Sequence, residues 1–206
     1  MKLNPIARVA CVARCLLLAG IIPVASQALA ADKPKSMPAD HAAAMEKMKQ
    51  AGMPGAAHQK LDPLAGRFSV KSKMWMDPSQ PPTESSGTSE RKWIYGNRYL
   101  TENFEGTYGG QPFSGMGTMG YDNVTQKYFG TWIDSMSTGL TTSHGSFDGK
   151  VLKYKGMMSD PMSGKETPYT MSIAIADNDH HTTEMWGPGP NGKNMKWMEM
   201  SYTRIK

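Results

Sequence analysis

The residue whose position is most informative about chemistry is Glu102. It lies between Leu100 and Phe104 at two-residue spacing, so a β-strand would place all three side chains on one face. If that face is interior, the carboxylate needs a basic or hydrogen-bonding partner, because burying an unpaired charge is costly. We interpret Glu102 as the polar anchor of a pocket floor, with a general base and a structural ion pair as alternatives. Neighbouring strands offer it four partners, which are Glu90, Arg91, Asp134 and His144.

Apolar side chains of two kinds could form the wall of such a pocket. The chain contains 5 tryptophans and 18 methionines, one of which is the initiator. Methionine fills irregular cores and contacts aromatic rings, so packing is the favoured interpretation for most of these residues. A flexible, methionine-rich cavity also suits a loosely specified apolar ligand. We expect a small apolar or aromatic ligand to contact Glu102, Met119, Trp132, Asp134, His144, Met171, Met200 and Tyr202.

An enzyme is the first alternative to a binding protein. It would use Glu102 or Asp134 as a buried carboxylate, with His144 for proton transfer. His144 is the one histidine that we place near a cavity, because it lies in the middle of a predicted strand. The sequence contains no Gly-x-Ser-x-Gly motif, no His-Glu-x-x-His motif and no phosphate-binding glycine loop. We therefore favour a binding protein and assign no catalytic residue.

A copper-handling protein is the second alternative. Thioethers are soft ligands that suit Cu(I). A helix predicted from about Asp40 to Ala51 would carry soft donors on one face and others nearby, namely His41, Met45, Met48, Met37, Met53 and His58. The adjacent pair His180–His181 is poorly placed to chelate, because neighbouring residues of a strand point to opposite faces, and we expect it in a solvated turn. The sequence predicts no resident metal and no cofactor.

Residues 1–30 have the composition of a cleavable secretory signal. Lys2, Arg8 and Arg14 form a basic leader, residues 16–24 are mostly apolar, and Ala28–Leu29–Ala30 supplies small residues for cleavage. The apolar run is shorter than the roughly 20 residues that a membrane-spanning helix needs. We expect the protein to be exported to the periplasm or secreted, with no membrane association after cleavage.

Removal of that segment changes both the charge and the cysteine content. The formal charge falls from +5 to +2, because the segment holds 3 of the 23 basic residues and none of the 18 acidic ones. No cluster of Lys and Arg indicates nucleic-acid binding. Both cysteines also lie in the segment, so the remaining chain has neither a disulfide nor a thiolate nucleophile. Its stability must come from its core.

The remaining chain divides into a short N-terminal region and one β-rich domain. Residues 31–65 are predicted to form a disordered leader, a short helix and a linker. From residue 66 to 206, apolar residues recur at two-residue spacing and turn dipeptides such as Asp148–Gly149 separate the runs. This pattern predicts an all-β fold, an antiparallel up-and-down meander of about ten strands. Closure into a barrel would remove its two exposed edges, with a two-sheet sandwich as the alternative.

Six short motifs occur in a fixed order along the chain. They are LDPLAG at 61–66, KMWMDP at 73–78, GYDN at 120–123, TWIDSMSTG at 131–139, DPMSGK at 160–165 and MEMSYTR at 198–204. Together they resemble the bacterial domain of unknown function 1579 family over nearly all of residues 58–206. The resemblance implies a family without an assigned activity.

The first strand also resembles that of the calycin (lipocalin-like) barrels. Those barrels open with Gly-x-Trp, and the Trp packs under a basic residue of the last strand. Here Gly66–Arg67–Phe68 stands in that place, with Phe instead of Trp. The resemblance implies that Arg204 or Lys206 lies over the Phe68 ring and fastens the first strand to the last.

Overall fold

The computed structural model describes residues 38–206. The predicted signal peptide and most of the predicted leader lie outside the described residues. Two helices, α1 and α2, and one 3-10 turn precede ten strands. Their bounds are α1 Ala39–Ala51, α2 Ala56–Gln59, the 3-10 turn Asp62–Leu64, β1 Gly66–Met74, β2 Thr83–Ile94, β3 Tyr99–Tyr108, β4 Gln111–Asp122, β5 Lys127–Asp134, β6 Thr141–Phe147, β7 Val151–Asp160, β8 Lys165–Ile175, β9 His180–Pro188 and β10 Asn194–Arg204.

The ten strands form one closed antiparallel barrel. Each strand pairs with its neighbours in sequence, and β1 closes the barrel by pairing with β10 from Phe68 opposite Arg204 to Met74 opposite Met198. The predicted closed meander is confirmed, and the two-sheet sandwich is excluded. Closure satisfies the hydrogen-bonding groups of both edge strands, which would otherwise be open to pairing with other chains.

Aromatic rings lie flat against glycines inside the barrel. The indole of Trp132 on β5 occupies the space in which a side chain at Gly115 or Gly117 on β4 would stand. A Cβ at Gly115 would overlap the Trp132 ring, so the glycine is needed for this close approach. The same arrangement places the Tyr154 ring over Gly145. Large inward side chains therefore alternate with glycines, which lets a ten-stranded barrel be lined by rings.

One end of the barrel is closed by the residues that precede β1. Leu61 and Leu64 are fully buried inside this end, where they pack against inward side chains of the strands. Tyr128 Oη donates a hydrogen bond of 2.9 Å to the Ala57 carbonyl and so ties α2 to β5. The buried cluster at this end consists of Leu61, Leu64, Leu100, Met119, Tyr128, Leu152, Tyr154 and Ile173. We call this the closed end.

Arg204 fastens the closed end to the barrel wall. Its guanidinium carbon lies 4.6 Å from the centroid of the Phe68 ring, as the calycin resemblance implies, and this part of the expectation is confirmed. The same guanidinium donates hydrogen bonds to the carbonyls of Pro63, at 2.9 Å, and Ala65, at 2.7 Å. Gly66 has φ +126°, and a Cβ there would overlap Arg204, so two requirements favour glycine at this position.

Helix α1 projects from the closed end. Its bounds agree with the predicted helix, and none of its residues is buried. Arg98 Nε donates to the Gly52 carbonyl at 2.7 Å, and the Asn123 amide donates to the carbonyls of Ala51 and Met53. These contacts hold the segment after α1 at the closed end. No helix within the described residues is long and apolar enough to cross a membrane.

Candidate functional site

Glu102 lies inside the barrel and has two partners there. Its Oε1 accepts a hydrogen bond of 2.6 Å from Ser89 Oγ and forms an ion pair of 3.0 Å with Arg91 Nη2. Strand β2 supplies both partners, and the register places Arg91 directly opposite Glu102. All three side chains are buried. The predicted basic partner is therefore present, and of the four residues considered it is Arg91.

Arg91 joins this carboxylate to an imidazole on the far side of β1 and β10. Its Nη1 lies 2.7 Å from His181 Nε2 on β9. Burial alone would lower the pKa of Arg91, but the adjacent Glu102 carboxylate reverses this and the net direction is upward. Arg91 is therefore charged, so it donates to His181 Nε2, and the ring proton of a neutral His181 is on Nδ1.

His181 is held neutral by its surroundings. Burial, with the positive charges of Arg91 and Arg204, lowers its pKa to about 2. Its ring stacks on Tyr202, with centroids 4.2 Å apart and planes 16° from parallel. It also forms a T-shaped contact with the Phe68 ring, whose centroid lies 4.8 Å away. The guanidinium of Arg91 lies 4.6 Å from the Tyr202 centroid. The imidazole is thus enclosed by rings and one cation.

These polar residues form a layer between two apolar clusters. Glu102 lies between Leu100, in the cluster at the closed end, and Phe104, in a second cluster. The second cluster consists of Phe68, Val70, Phe104 and Tyr202, with Phe113, Trp132 and Met200 packed against it. We call Ser89, Arg91, Glu102 and His181 the polar layer. Since one base is neutral and the ion pair is balanced, the layer carries no net charge.

Three buried polar atoms among the described residues have no hydrogen-bond partner. They are Arg91 Nε, Tyr154 Oη and Thr183 Oγ1. Burial, more than any neighbouring charge, raises the pKa of Tyr154, so its hydroxyl keeps its proton. Thr183 follows His181 on the same inward face of β9. Each of the three can donate a hydrogen bond, so the interior holds donors that the protein does not use.

Beyond the polar layer, several inward-facing residues are half-buried, although Tyr169 and Met195 on the same side of the layer are buried. In a closed barrel an inward side chain meets solvent through interior space, because the wall has no gaps. We call this space the cup, and define it by six inward-facing, half-buried residues, which are Trp132, Met158, Met171, Met185, Met198 and Met200.

Four of the eight residues predicted to contact a ligand face the cup and are half-buried, namely Trp132, Asp134, Met171 and Met200, and Met171 also packs against the cluster at the closed end. The Trp132 indole donates a hydrogen bond of 3.1 Å to Asp134 Oδ2, and Asp134 also accepts from the backbone of Met136 at the strand end. The other interior residues of the predicted set lie deeper, with Glu102 in the polar layer, Tyr202 stacked on His181, and Met119 in the cluster at the closed end.

The expectation for His144 is wrong. Its side chain is exposed, while its neighbours Ser143 and Gly145 face inward. The interior face of β6 is small because the Tyr154 ring crosses it, and a Cβ at Gly145 would lie 2.9 Å from that ring. The fold therefore does not bring His144 together with a buried carboxylate.

The expectation for the pair His180–His181 is half right. The two side chains do lie on opposite faces, but only His180 is in solvent, where Nδ1 lies 3.0 Å from Asp177 Oδ1. His181 was overlooked because the sequence around it is polar. Strand β9 begins at His180, and Thr182 and Thr183 give no apolar alternation from which the inward face can be read.

One of the donors predicted near the copper-binding face of α1 is not available to it. His58 is buried in α2, and its Nδ1 accepts a hydrogen bond of 3.2 Å from the Gly55 amide. His41, Met45 and Met48 are exposed on α1, and Met37 lies outside the described residues. Within residues 38–206, no three His, Cys, Asp or Glu side chains are grouped to hold a metal ion.

Two depressions of about 280 and 320 Å³ lie on either side of His58 at the closed end. They are lined by linker residues, by the turns that follow β2 and β4 and by strand residues that include Trp93, Tyr99, Tyr121 and Phe129, and neither is lined by a residue of the polar layer. The candidate site predicted inside the barrel corresponds to the cup.

Comparison with known proteins gives a family and a fold. Residues 53–204 match DUF1579, described as a protein of unknown function. The crystal structure of Rv2717c from M. tuberculosis aligns with a TM-score of 0.55 and 16% identity, covering 75% of this chain and 100% of that chain. A redesigned β-barrel aligns with a TM-score of 0.38 and 12% identity, covering 73% of this chain and 96% of that chain. No curated protein matches.

Proposed function

The chain belongs to the DUF1579 family, whose description names no activity, and we propose that it is an exported protein that binds a small apolar or aromatic ligand in the cup. The family membership confirms the resemblance drawn from the six motifs. The observation that carries the proposal is a group of apolar inward side chains that stay half-buried although a closed barrel wall surrounds them. They are Trp132, Met158, Met185, Met198 and Met200.

The lining of the cup favours an apolar ligand. Its six defining residues are five methionines and Trp132, and the half-buried inward positions around them add the apolar Met74 and Phe113 and the polar Ser85, Asp134 and Thr167. Covering these side chains would remove apolar surface from water, which stabilises a complex by about 25 cal/mol per Å² of apolar area. Flexible thioethers also adapt to ligands of different shape. An eight-stranded barrel holds one small ligand, and ten strands enclose a wider interior.

The polar layer supports binding by fixing the depth of the cup. Its ion pair has no net charge, so it supplies no uncompensated charge to pair with a charged ligand. The unused donor at Thr183, which lies opposite Met200, favours a ligand that carries one neutral oxygen acceptor on an otherwise apolar body. Export is the second part of the proposal, and it is supported by the basic leader, apolar run and small-residue site in residues 1–30.

A fluorescent probe tests the location of the site. N-phenyl-1-naphthylamine is neutral, aromatic and bright only in apolar surroundings, and we expect it to bind with enhanced emission. Trp132→Leu should weaken binding by about tenfold, because a ring–ring contact and part of the wall are lost. Ile133→Ser is the matched control. Ile133 is the next residue of β5, 42% exposed on the outer face, and its replacement should leave binding unchanged.

Loss of affinity in Ile133→Ser but not in Trp132→Leu would place the probe outside the barrel and contradict the proposal. Glu102→Gln, in protein that remains folded, separates binding from catalysis. A binding protein should keep its affinity for the probe within about threefold, because the probe's contacts are apolar. Native mass spectrometry of the protein from its own host would then give the class of the natural ligand from its retained mass.

A further inference from the structure

A row of methionines crosses four neighbouring strands of the barrel. Met74 on β1 lies directly opposite Met198 on β10, and Met198 lies opposite Met185 on β9. Met185 in turn lies opposite Met171 on β8. We call these four residues the thioether row.

All four side chains face the same solvent-reached space. Each belongs to the inward set of its strand, as the buried neighbours Ser72, Thr183, Ile173 and Tyr202 show. Each is half-buried, so the row lies on the wall of the cup, and its Met171 end borders the buried cluster at the closed end. Met200 lies two residues beyond Met198 on the same face and is also half-buried.

A β-bulge borders the row. The pairing of β10 with β9 shifts between Lys196 and Met198, where Trp197 is the extra residue. Met198 lies on the side of the bulge where one register runs unbroken to Thr203, so its inward position follows from alternation with Met200 and Tyr202. Bulges are frequent next to functional sites.

The spacing within the row suits convergence on one ion. Directly opposite residues in antiparallel strands have Cβ atoms about 4.5–5.5 Å apart. A thioether on three rotatable bonds can therefore turn towards the space between two such residues. Three consecutive side chains can reach a common point near the middle one, whereas the two ends of a four-residue row lie about 15 Å apart. Met185 and Met198 belong to both of the possible triplets.

We propose that the cup binds one Cu(I) ion through three consecutive thioethers of the row, with Met185 and Met198 as its constant ligands. Thioethers are neutral, soft ligands, and soft ligands select Cu(I) over harder divalent ions. The row offers no thiolate, imidazole or carboxylate, so its donor set is unsuited to Zn²⁺, Mg²⁺ or Ca²⁺. His181, the buried imidazole of the polar layer, already accepts from Arg91. This inference does not depend on an organic ligand.

Titration with Cu(I) alone tests the inference. Cu(I) is added anaerobically under ascorbate and competed with bicinchoninate, whose Cu(I) complex is coloured. The background carries Cys11→Ser and Cys15→Ser, so that no thiol from the N-terminal segment takes the ion. We expect one equivalent to bind and the melting temperature to rise. Met185→Leu/Met198→Leu should weaken binding at least tenfold, and leucine is chosen because it conserves volume and apolar character.

Two control variants make the result specific. Met116→Leu/Met162→Leu removes two thioethers that are 49% and 88% exposed and lie outside the cup, and it should bind like the parent. Met45→Leu/Met48→Leu removes the thioethers of α1 and should also bind like the parent. The inference is overturned if the parent binds no Cu(I), if Met185→Leu/Met198→Leu binds normally while folded, or if the α1 variant alone loses the ion.

Discussion

Arg91→Met should lower the free energy of unfolding by about 3–5 kcal/mol, because it leaves the Glu102 carboxylate buried without a cation. Glu102→Gln should cost a similar amount, since it leaves the Arg91 charge uncompensated. The ion pair is 3.0 Å long and both side chains are under 10% exposed. Total stabilities of about 5–15 kcal/mol are usual for a domain of this kind, so the loss is large but need not abolish folding.

The double variant distinguishes an ion pair from two independent contacts. If the charges stabilise each other, Arg91→Met/Glu102→Gln should cost about as much as either single variant, because neither charge is then left alone. Urea unfolding of all four proteins measures this. Additive losses would contradict the coupling. Lys92→Met is the matched control, because Lys92 is next on β2 and forms a 2.9 Å ion pair with Glu90 whose side chains are 67% and 44% exposed. It should cost under about 1 kcal/mol.

Because of His181, the free energy of unfolding should fall as the pH drops below 6.5. The unfolded chain binds up to one more proton than the folded protein in this range. In the folded state its pKa is lowered to about 2, while in the unfolded chain it is near 6.5. Between these values the unfolded state binds a proton that the folded state does not, so stability rises with pH across this window. The slope for one such group is about 1.4 kcal/mol per pH unit.

His181→Gln should reduce this slope while keeping an acceptor for Arg91. The difference between variant and parent isolates His181 from His58, whose pKa burial also lowers. Unfolding free energies are measured from pH 4.5 to 6.5, and the difference between variant and parent cancels the contributions of groups that both proteins share. Over those two pH units the parent should lose about 2 kcal/mol more than the variant. Equal slopes would show that His181 is accessible to protons in the folded state. His144→Gln, at an exposed position, should behave like the parent.

The sequence predicts the inward face of a strand correctly where apolar residues alternate clearly along it. On β3, Leu100, Glu102 and Phe104 alternate clearly, and the structure places all three inside the barrel. Closure could be predicted because turn signals leave no room for crossover helices. The cation over the Phe68 ring was implied by resemblance to the calycin barrels, and Arg204 supplies it.

The features that were missed lie where alternation is absent or interrupted. Strand β6 consists mostly of small polar residues, so the outward position of His144 leaves no trace in the sequence. His181 follows a turn and precedes two threonines. Alternation with Met200 and Tyr202 gives the inward face of Met198, but the residue opposite it, Met185, depends on the register between β10 and β9, which the sequence of one strand does not contain.

The central claim is that the cup is the binding site, and methionine methyl NMR tests it most directly. With ¹³C-methyl-methionine protein and N-phenyl-1-naphthylamine, the signals of Met171, Met185, Met198 and Met200 should shift, because aromatic rings displace nearby methyl resonances. Signals of Met136 and Met162, which are 62% and 88% exposed, should stay in place. Shifts confined to the exposed methionines, with the cup signals unmoved at saturating probe, would contradict the account.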